Sequence, residues 1–310
     1  MKFKLAFDVP ESKKVRVIVH TDCANEADDQ FALAHHLMTP KFIVRGIIAG
    51  HFELSPRYGK GQTVQASYDE IIKVMDLMGI KGEVPVYKGV SSPLPDEKTP
   101  LMSEGAQFII DEAMRDDDPR PLYVVFQGAI TDLAAAILTE PKICDRMTAV
   151  WIGGGEYPNG GFEFNLKQDI NAANVVMAST MPFWQVPINA YKSMSVTLAE
   201  LQHRVKPYGK IGNYLFTQMV ELNNKLANIP HWPHGESWGL GDQPTVTVLL
   251  VEQEKTDIFD LIPAPRIAPD MTYIHDTGYR EIRVYNTIDS RMTLEDFYAK
   301  LAINFPDKDS

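Results

Sequence analysis

The sequence predicts an α/β layer fold with a largely parallel central sheet flanked by helices. Runs of β-branched and aromatic residues alternate with stretches of helical apolar period. The connections between them are short and polar, and polar or acidic residues cluster directly after the apolar runs. Strand–helix alternation of this kind indicates parallel pairing with helices on both faces, and ligands then bind beyond the carboxyl ends of the strands.

The elements follow in order. Val15-Arg-Val-Ile-Val-His20 reads as a buried strand, and 28–38 as a helix with Phe31, Leu33, Ala34, Leu37 and Met38 inward. A second strand is expected over 43–49, a helix over 68–78 and a short strand over 84–87. Ser103 and Glu104 open a helix whose apolar part is 108–114. Leu122-Tyr-Val-Val-Phe126 is a strand, 131–138 an Ala-rich helix and 149–152 a strand. The second half is more helical, with helices over 198–205, 211–226 and 293–303 and a late strand over 281–285. The Pro-rich stretch 261–271 reads as a loop. His35 and His36 fall mid-helix and are expected at the surface or the core edge. No repeat or linker interrupts the chain, so residues 1–310 are expected to form one domain.

The 310 residues are 45% hydrophobic, enough for one large core. A formal net charge of −11 argues against non-specific binding to nucleic acid or an anionic membrane. Cys23 and Cys144 sit in no metal or redox spacing and suit a reducing compartment. The first nine residues lack an uninterrupted apolar run, and no apolar stretch is long enough to span a bilayer. A soluble, cytoplasmic protein is the expectation.

The most informative stretch is Thr21-Asp22-Cys23-Ala24-Asn25-Glu26-Ala27-Asp28-Asp29, with four carboxylates at a strand-to-helix turn. Helix capping and solvation account for Asp28 and Asp29 in the plainest reading. Crowded carboxylates repel one another unless a cation sits among them, and oxygen donors select a hard ion, Ca2+ or Mg2+. The EF-hand spacing is absent. Asp242, followed by Pro244, reads by itself as a helix start.

Strand, T-D, short loop and D-D opening a helix resembles the nucleoside hydrolase family, whose common form is D-x-D-P-G-x-D-D. Here His20 replaces the first Asp and the loop is two residues longer. Further blocks follow in the family's order. They are Val124-Val-Phe-Gln-Gly-Ala-Ile-Thr-Asp-Leu133, Leu138-Thr-Glu-Pro-Lys-Ile-Cys-Asp-Arg146, Val150-Trp-Ile-Gly-Gly-Gly155 with Glu163-Phe-Asn165 and Asp169-x-x-Ala-Ala173, and Gly241-Asp-Gln-Pro244. The resemblance covers most of the chain and implies a Rossmann-like nucleoside hydrolase fold. It also implies hydrolysis of a ribonucleoside N-glycosidic bond with one Ca2+, and a homodimer or homotetramer.

Matched by position, the resemblance makes Asp22, Asp29, Asp242 and the backbone oxygen of Gln127 the metal ligands. Asp22 is the base for the Ca2+-activated water. Asp28, Glu163, Asn165 and, in the Gly-rich loop, Asn159 would bind the ribose. Many members have His where this chain has Gly241, so the leaving-group acid needs another source. His51, after the second strand, is the first candidate, with His231 and His234 behind it. Trp238 is a candidate to stack on a flat base.

Other readings compete. A Rossmann-type nucleotide enzyme lacks its fingerprint, since Pro158 breaks G-x-G-x-x-G after Gly153, and no P-loop occurs. An aspartate phosphotransferase wants D-x-D after the first strand. A non-catalytic nucleoside- or sugar-binding protein, or a hydrolase of another glycoside, would use the same scaffold.

Overall fold

The computed structural model describes residues 3–55 and 57–306. An eight-stranded sheet runs through the molecule in the order β3-β2-β1-β4-β5-β6-β12-β9. Its strands are β1 (Val15–Thr21), β2 (Phe42–Ala49), β3 (Val86–Lys88), β4 (Leu122–Phe126), β5 (Thr148–Ile152), β6 (Phe183–Val186), β9 (Phe259–Pro263) and β12 (Glu281–Tyr285). Every pairing is parallel except β12 with β9, which closes one edge antiparallel. The expected α/β fold with a mostly parallel sheet is the one observed.

Two apolar layers sandwich the sheet, and β1 shows why. Its side chains alternate, as a strand's must. Val17 and Val19 join Phe31 and Leu33 of α1 (Asp29–Met38), Ile71 of α2 (Thr63–Leu77), Leu215 of α9 (Gly209–Lys225) and Phe297 of α11 (Ser290–Asn304). Ile18 faces the other way with Ile109 of α3 (Glu104–Ala113), Leu133 of α4 (Thr131–Thr139) and Val176 of α6 (Ile170–Ala178). All ten residues of α1 are buried, His35 and His36 included, which places both inside rather than at the expected surface or core edge. His35 is satisfied inside by Gln243 Oε1 and Asp296 Oδ2, each at 2.7 Å. Burial drives the His36 imidazole down to about 3, so it stays neutral.

The loop expected over 261–271 is partly strand. β9 pairs with β12 in the register Ile282↔Ile262, with Pro263 at its end, where an edge strand tolerates proline. β10 (Arg266–Ile267) pairs with β11 (Tyr273–Ile274). Proline masked these segments because the missing donor costs little at an edge.

Asp132, in the first turn of α4, ties three elements together. It accepts from His20 Nε2 on β1 at 3.0 Å, from the Val90 N–H after β3 at 3.0 Å and from the Ser103 hydroxyl, which also caps α3. Asp132, His20 and Val90 are buried, and these contacts hold the Asp132 carboxyl below the ordinary range despite burial. Asp132→Ala strands these partners and should cost on the order of 3 kcal/mol. Urea unfolding followed by circular dichroism measures it, and a midpoint equal to wild type would refute the strut.

Candidate active site

The strand order reverses at β1, with β2 and β3 on one side and β4, β5 and β6 on the other. Open α/β sheets bind ligands at such a switch point, because the loops diverge there and leave a crevice. Asp22 leaves β1 and Gln127 leaves the adjacent β4, with the Gln127 N–H bonded to His20 O at 2.9 Å. The 22–29 loop is folded on itself. Asn25 N–H bonds to Asp22 O at 2.7 Å, and Gln30 Nε2 to Cys23 O at 2.7 Å. The Thr21 hydroxyl donates to Asp29 Oδ1.

A cavity of about 70 Å³ opens above these residues. Asp22, Asp28, Asp29, Asp242, Gln127, Glu163 and Asn165 all line it, gathered from across the chain. Asp28, Asp29 and Asp242 each offer an oxygen, all within 4.8 Å of one another. Asp22 Oδ2 is buried with no partner among the described residues. Burial comes first in raising the carboxyls of Asp22, Asp29 and Asp242 well above their ordinary range, and the neighbouring carboxylates push the same way. Asp28, at about 6, is raised less because backbone N–H groups, those of Gly241 and Asp242 among them, bond to it. Buried like charges with an orphaned oxygen fit a cation, and the all-oxygen donor set fits a hard one.

The capping readings of these acids do not hold. Asp28 stands at the N-cap of α1 but makes no side-chain cap, because its carboxylate turns to residues 241 and 242. At α10 (Pro244–Leu250) the N-cap is Gln243, and Asp242 gives only its backbone oxygen, to Thr245.

Glu163 is the true N-cap of α5 (Phe164–Gln168). Its Oε2 accepts from Gly154 N–H at 2.9 Å and Leu166 N–H at 2.8 Å, and its Oε1 accepts from the Tyr191 hydroxyl at 3.0 Å. Asn165 Nδ2 donates to Ile152 O at 2.9 Å and reaches Gln127 O at 3.4 Å, so it steadies the carbonyl expected among the metal ligands.

Three expected residues lie elsewhere. His51 does not line the cavity; it is fully buried, with Nε2 on the Thr131 hydroxyl at 2.8 Å. Burial lowers its imidazole to about 4, leaving it neutral. The structure thus sets His51, expected as a leaving-group acid, apart from the cavity lining. Asn159 is exposed at a turn beside Gly160 and also stays outside, since its loop pairs with Tyr273 rather than folding over the pocket. Trp238 lies in an adjoining cavity, its indole N–H on Glu26 Oε1 at 3.0 Å. Sequence reasoning left Asn25, Glu26 and Tyr191 without roles, yet all three line the pocket. Glu26 was visible within the acidic run, whereas Tyr191 carried no signal.

Residues 17–294 match the family model described as inosine-uridine preferring nucleoside hydrolase. An inosine-uridine preferring nucleoside hydrolase of Leishmania major is 27% identical over 189 residues, 53% of this chain and 60% of that protein. The pyrimidine-specific ribonucleoside hydrolase RihA of Salmonella paratyphi A is 22% identical over 271 residues, 78% of this chain and 80% of that one. A solved purine-preferring ribonucleoside hydrolase from Gardnerella vaginalis superposes with a TM-score of 0.73 at 20% identity, covering 93% of this chain and 98% of that one. Fold and family together define a glycosidase acting on N-glycosyl compounds. The chain belongs to the inosine-uridine preferring nucleoside hydrolase family.

The raised carboxyls set a pH dependence. Without a cation the folded state holds protons that the unfolded chain releases, so stability falls as pH rises from about 4 through about 6. A bound cation favours the ionised forms and reverses this cost. The gain in Tm from calcium over excess chelator should therefore be larger at about pH 7.5 than at about pH 5. Scanning calorimetry at both values checks it, and equal gains would mean these carboxyls do not titrate with the cation.

Proposed function

We propose that this protein hydrolyses the N-glycosidic bond of a ribonucleoside, with Ca2+ held by Asp22, Asp29, Asp242 and the backbone oxygen of Gln127. The carrying observation is the buried carboxylate cluster at the switch point, with the orphaned Oδ2 of Asp22, in a member of this family. Ca2+ accepts six to eight oxygens, so about four protein donors leave room for water and sugar hydroxyls. Held there, the ion would supply positive charge that makes a nearby water more acidic.

The chain's own groups do the rest. Asp22 Oδ2, without a partner among the described residues, takes a proton from the attacking water. Asp28, beside backbone N–H groups, and Asn165, whose Oδ1 accepts no hydrogen bond among the described residues, hold the ribose hydroxyls. Glu163, already bonded by three donors, forms the wall that sets the sugar's position. The carboxylates together favour the positive charge that develops on the sugar as the bond to the base breaks.

A second reading, a nucleoside- or sugar-binding protein without turnover, draws on Gly241 standing where many members have His. Reducing-sugar release from a nucleoside panel with p-nitrophenyl riboside, in calcium and then in excess EGTA, separates the two. Calcium-dependent release supports hydrolysis; calcium and nucleoside bound without release supports the second reading.

Asp29→Ala should lose bound calcium and drop kcat/KM on the order of a thousandfold. Elemental analysis of the purified variant is the check, and undiminished calcium removes Asp29 from the ligand set. Asn165→Ala should keep its calcium while KM for ribosides rises about three- to tenfold, the worth of one hydrogen bond. An unchanged KM would place the sugar elsewhere.

A further inference from the structure

A larger cavity, of about 390 Å³, adjoins the carboxylate pocket and shares Glu26, Asp28, Tyr191 and Gly241 with it. Its size is that of ligand sites in general. Trp232 and Trp238 wall it, their ring centroids 5.3 Å apart and their planes inclined at 56°. Such indole faces suit a planar heterocycle.

Glu26 stands at the seam. Trp238, buried on the short strand β8 (Ser237–Gly239), donates its indole N–H to Glu26 Oε1 at 3.0 Å. Among the described residues no hydrogen bond reaches the other oxygen, Oε2. One oxygen is thus pinned, and the second remains as an acceptor on a residue that lines both cavities and, on its other side, a third one with Arg57. Tyr191 and Gly241 also line both cavities. A Cβ at Gly241 would lie 3.1 Å from Tyr191 Cδ2, so the Tyr191 ring takes that space, and its hydroxyl is committed to Glu163. His234 is exposed and lines only the outer cavity.

We propose that Glu26 is the specificity-determining residue for the leaving group, accepting a hydrogen bond from an N–H of a planar heterocycle seated against Trp232 and Trp238. The inference rests on the hydrolytic reading for the placement of the sugar. It selects nucleobases that carry a ring N–H or amino donor. It selects against anionic leaving groups without a donor, such as a phenolate, which would meet the carboxylates of Glu26 and Asp28.

Glu26→Gln tests this at constant size. Its amide oxygen keeps the Trp238 bond, which turns an NH2 donor toward the seam where an acceptor stood. With calcium-loaded protein, kcat/KM for the best of adenosine, inosine, cytidine and uridine should fall about tenfold further than kcat/KM for p-nitrophenyl riboside. Quenching of tryptophan fluorescence by the free bases adenine, hypoxanthine, cytosine and uracil gives binding without turnover, and the Kd of the tightest should rise about tenfold in the variant. Trp238→Phe, which unpins the carboxylate, should show the same substrate order with a smaller effect. An equal fall for nucleosides and p-nitrophenyl riboside overturns the assignment, as does a base Kd unchanged in the variant or no quenching by any base in the wild type. If the wild type releases no sugar yet binds a base that Glu26→Gln weakens, the hydrolytic reading fails and the assignment of Glu26 stands.

Discussion

Five of the six carboxyl groups that line the pocket, Asp22, Glu26, Asp28, Asp29 and Asp242, crowd in a space too small and too dry to hold their charges apart. Desolvation and mutual repulsion push the same way there. The only basic group among the leading influences on any of them is Arg57, which acts on Glu26. The surrounding structure therefore spends other contacts on keeping the cluster together. The Thr21 hydroxyl, backbone N–H groups at 241 and 242, and the Trp238 indole each take one of these acids. The positive end of the fully buried α1 lies under Asp28 and Asp29. A site that breaks a local rule this far needs support from the rest of the fold.

That support runs through buried polar contacts rather than packing alone. Behind Asp22, His20 is clamped by Asp132 and lies against Phe126, ring centroids 4.9 Å apart. His51 is bonded to Thr131, whose hydroxyl donates to Asp169, which in turn caps α6 and holds the Leu94 N–H. These chains join the loops after β1, β2, β3 and β4 into one frame. Both histidines make buried hydrogen bonds that tie these loops together behind the carboxylate pocket.

Legibility in the sequence tracked how local the cause was. The strand 281–285 and the strand 122–126 were read to the residue, because a strict charged–apolar alternation in the first and an unbroken apolar run in the second admit little else. Capping signals worked where the cap was local, as at Ser103. They misled at Asp28 and Asp242, where a distant partner outbid the nearby helix end. β6 and β9 were missed because four or five residues at a sheet edge or beside a proline carry too weak a period.

The sequence by itself determined the α/β alternation, the order of the family's motifs and the oxygen-rich character of the site, since these follow from side-chain period and donor chemistry along the chain. Only the tertiary structure decided which acids meet. The reversal of strand order at β1 sets Asp22 beside Gln127, and folding brings Asp242 to Asp28 and Trp238 to Glu26 across 212 residues. The physical reason is that neighbours in space are set by sheet order and layer packing, which no local window of residues contains.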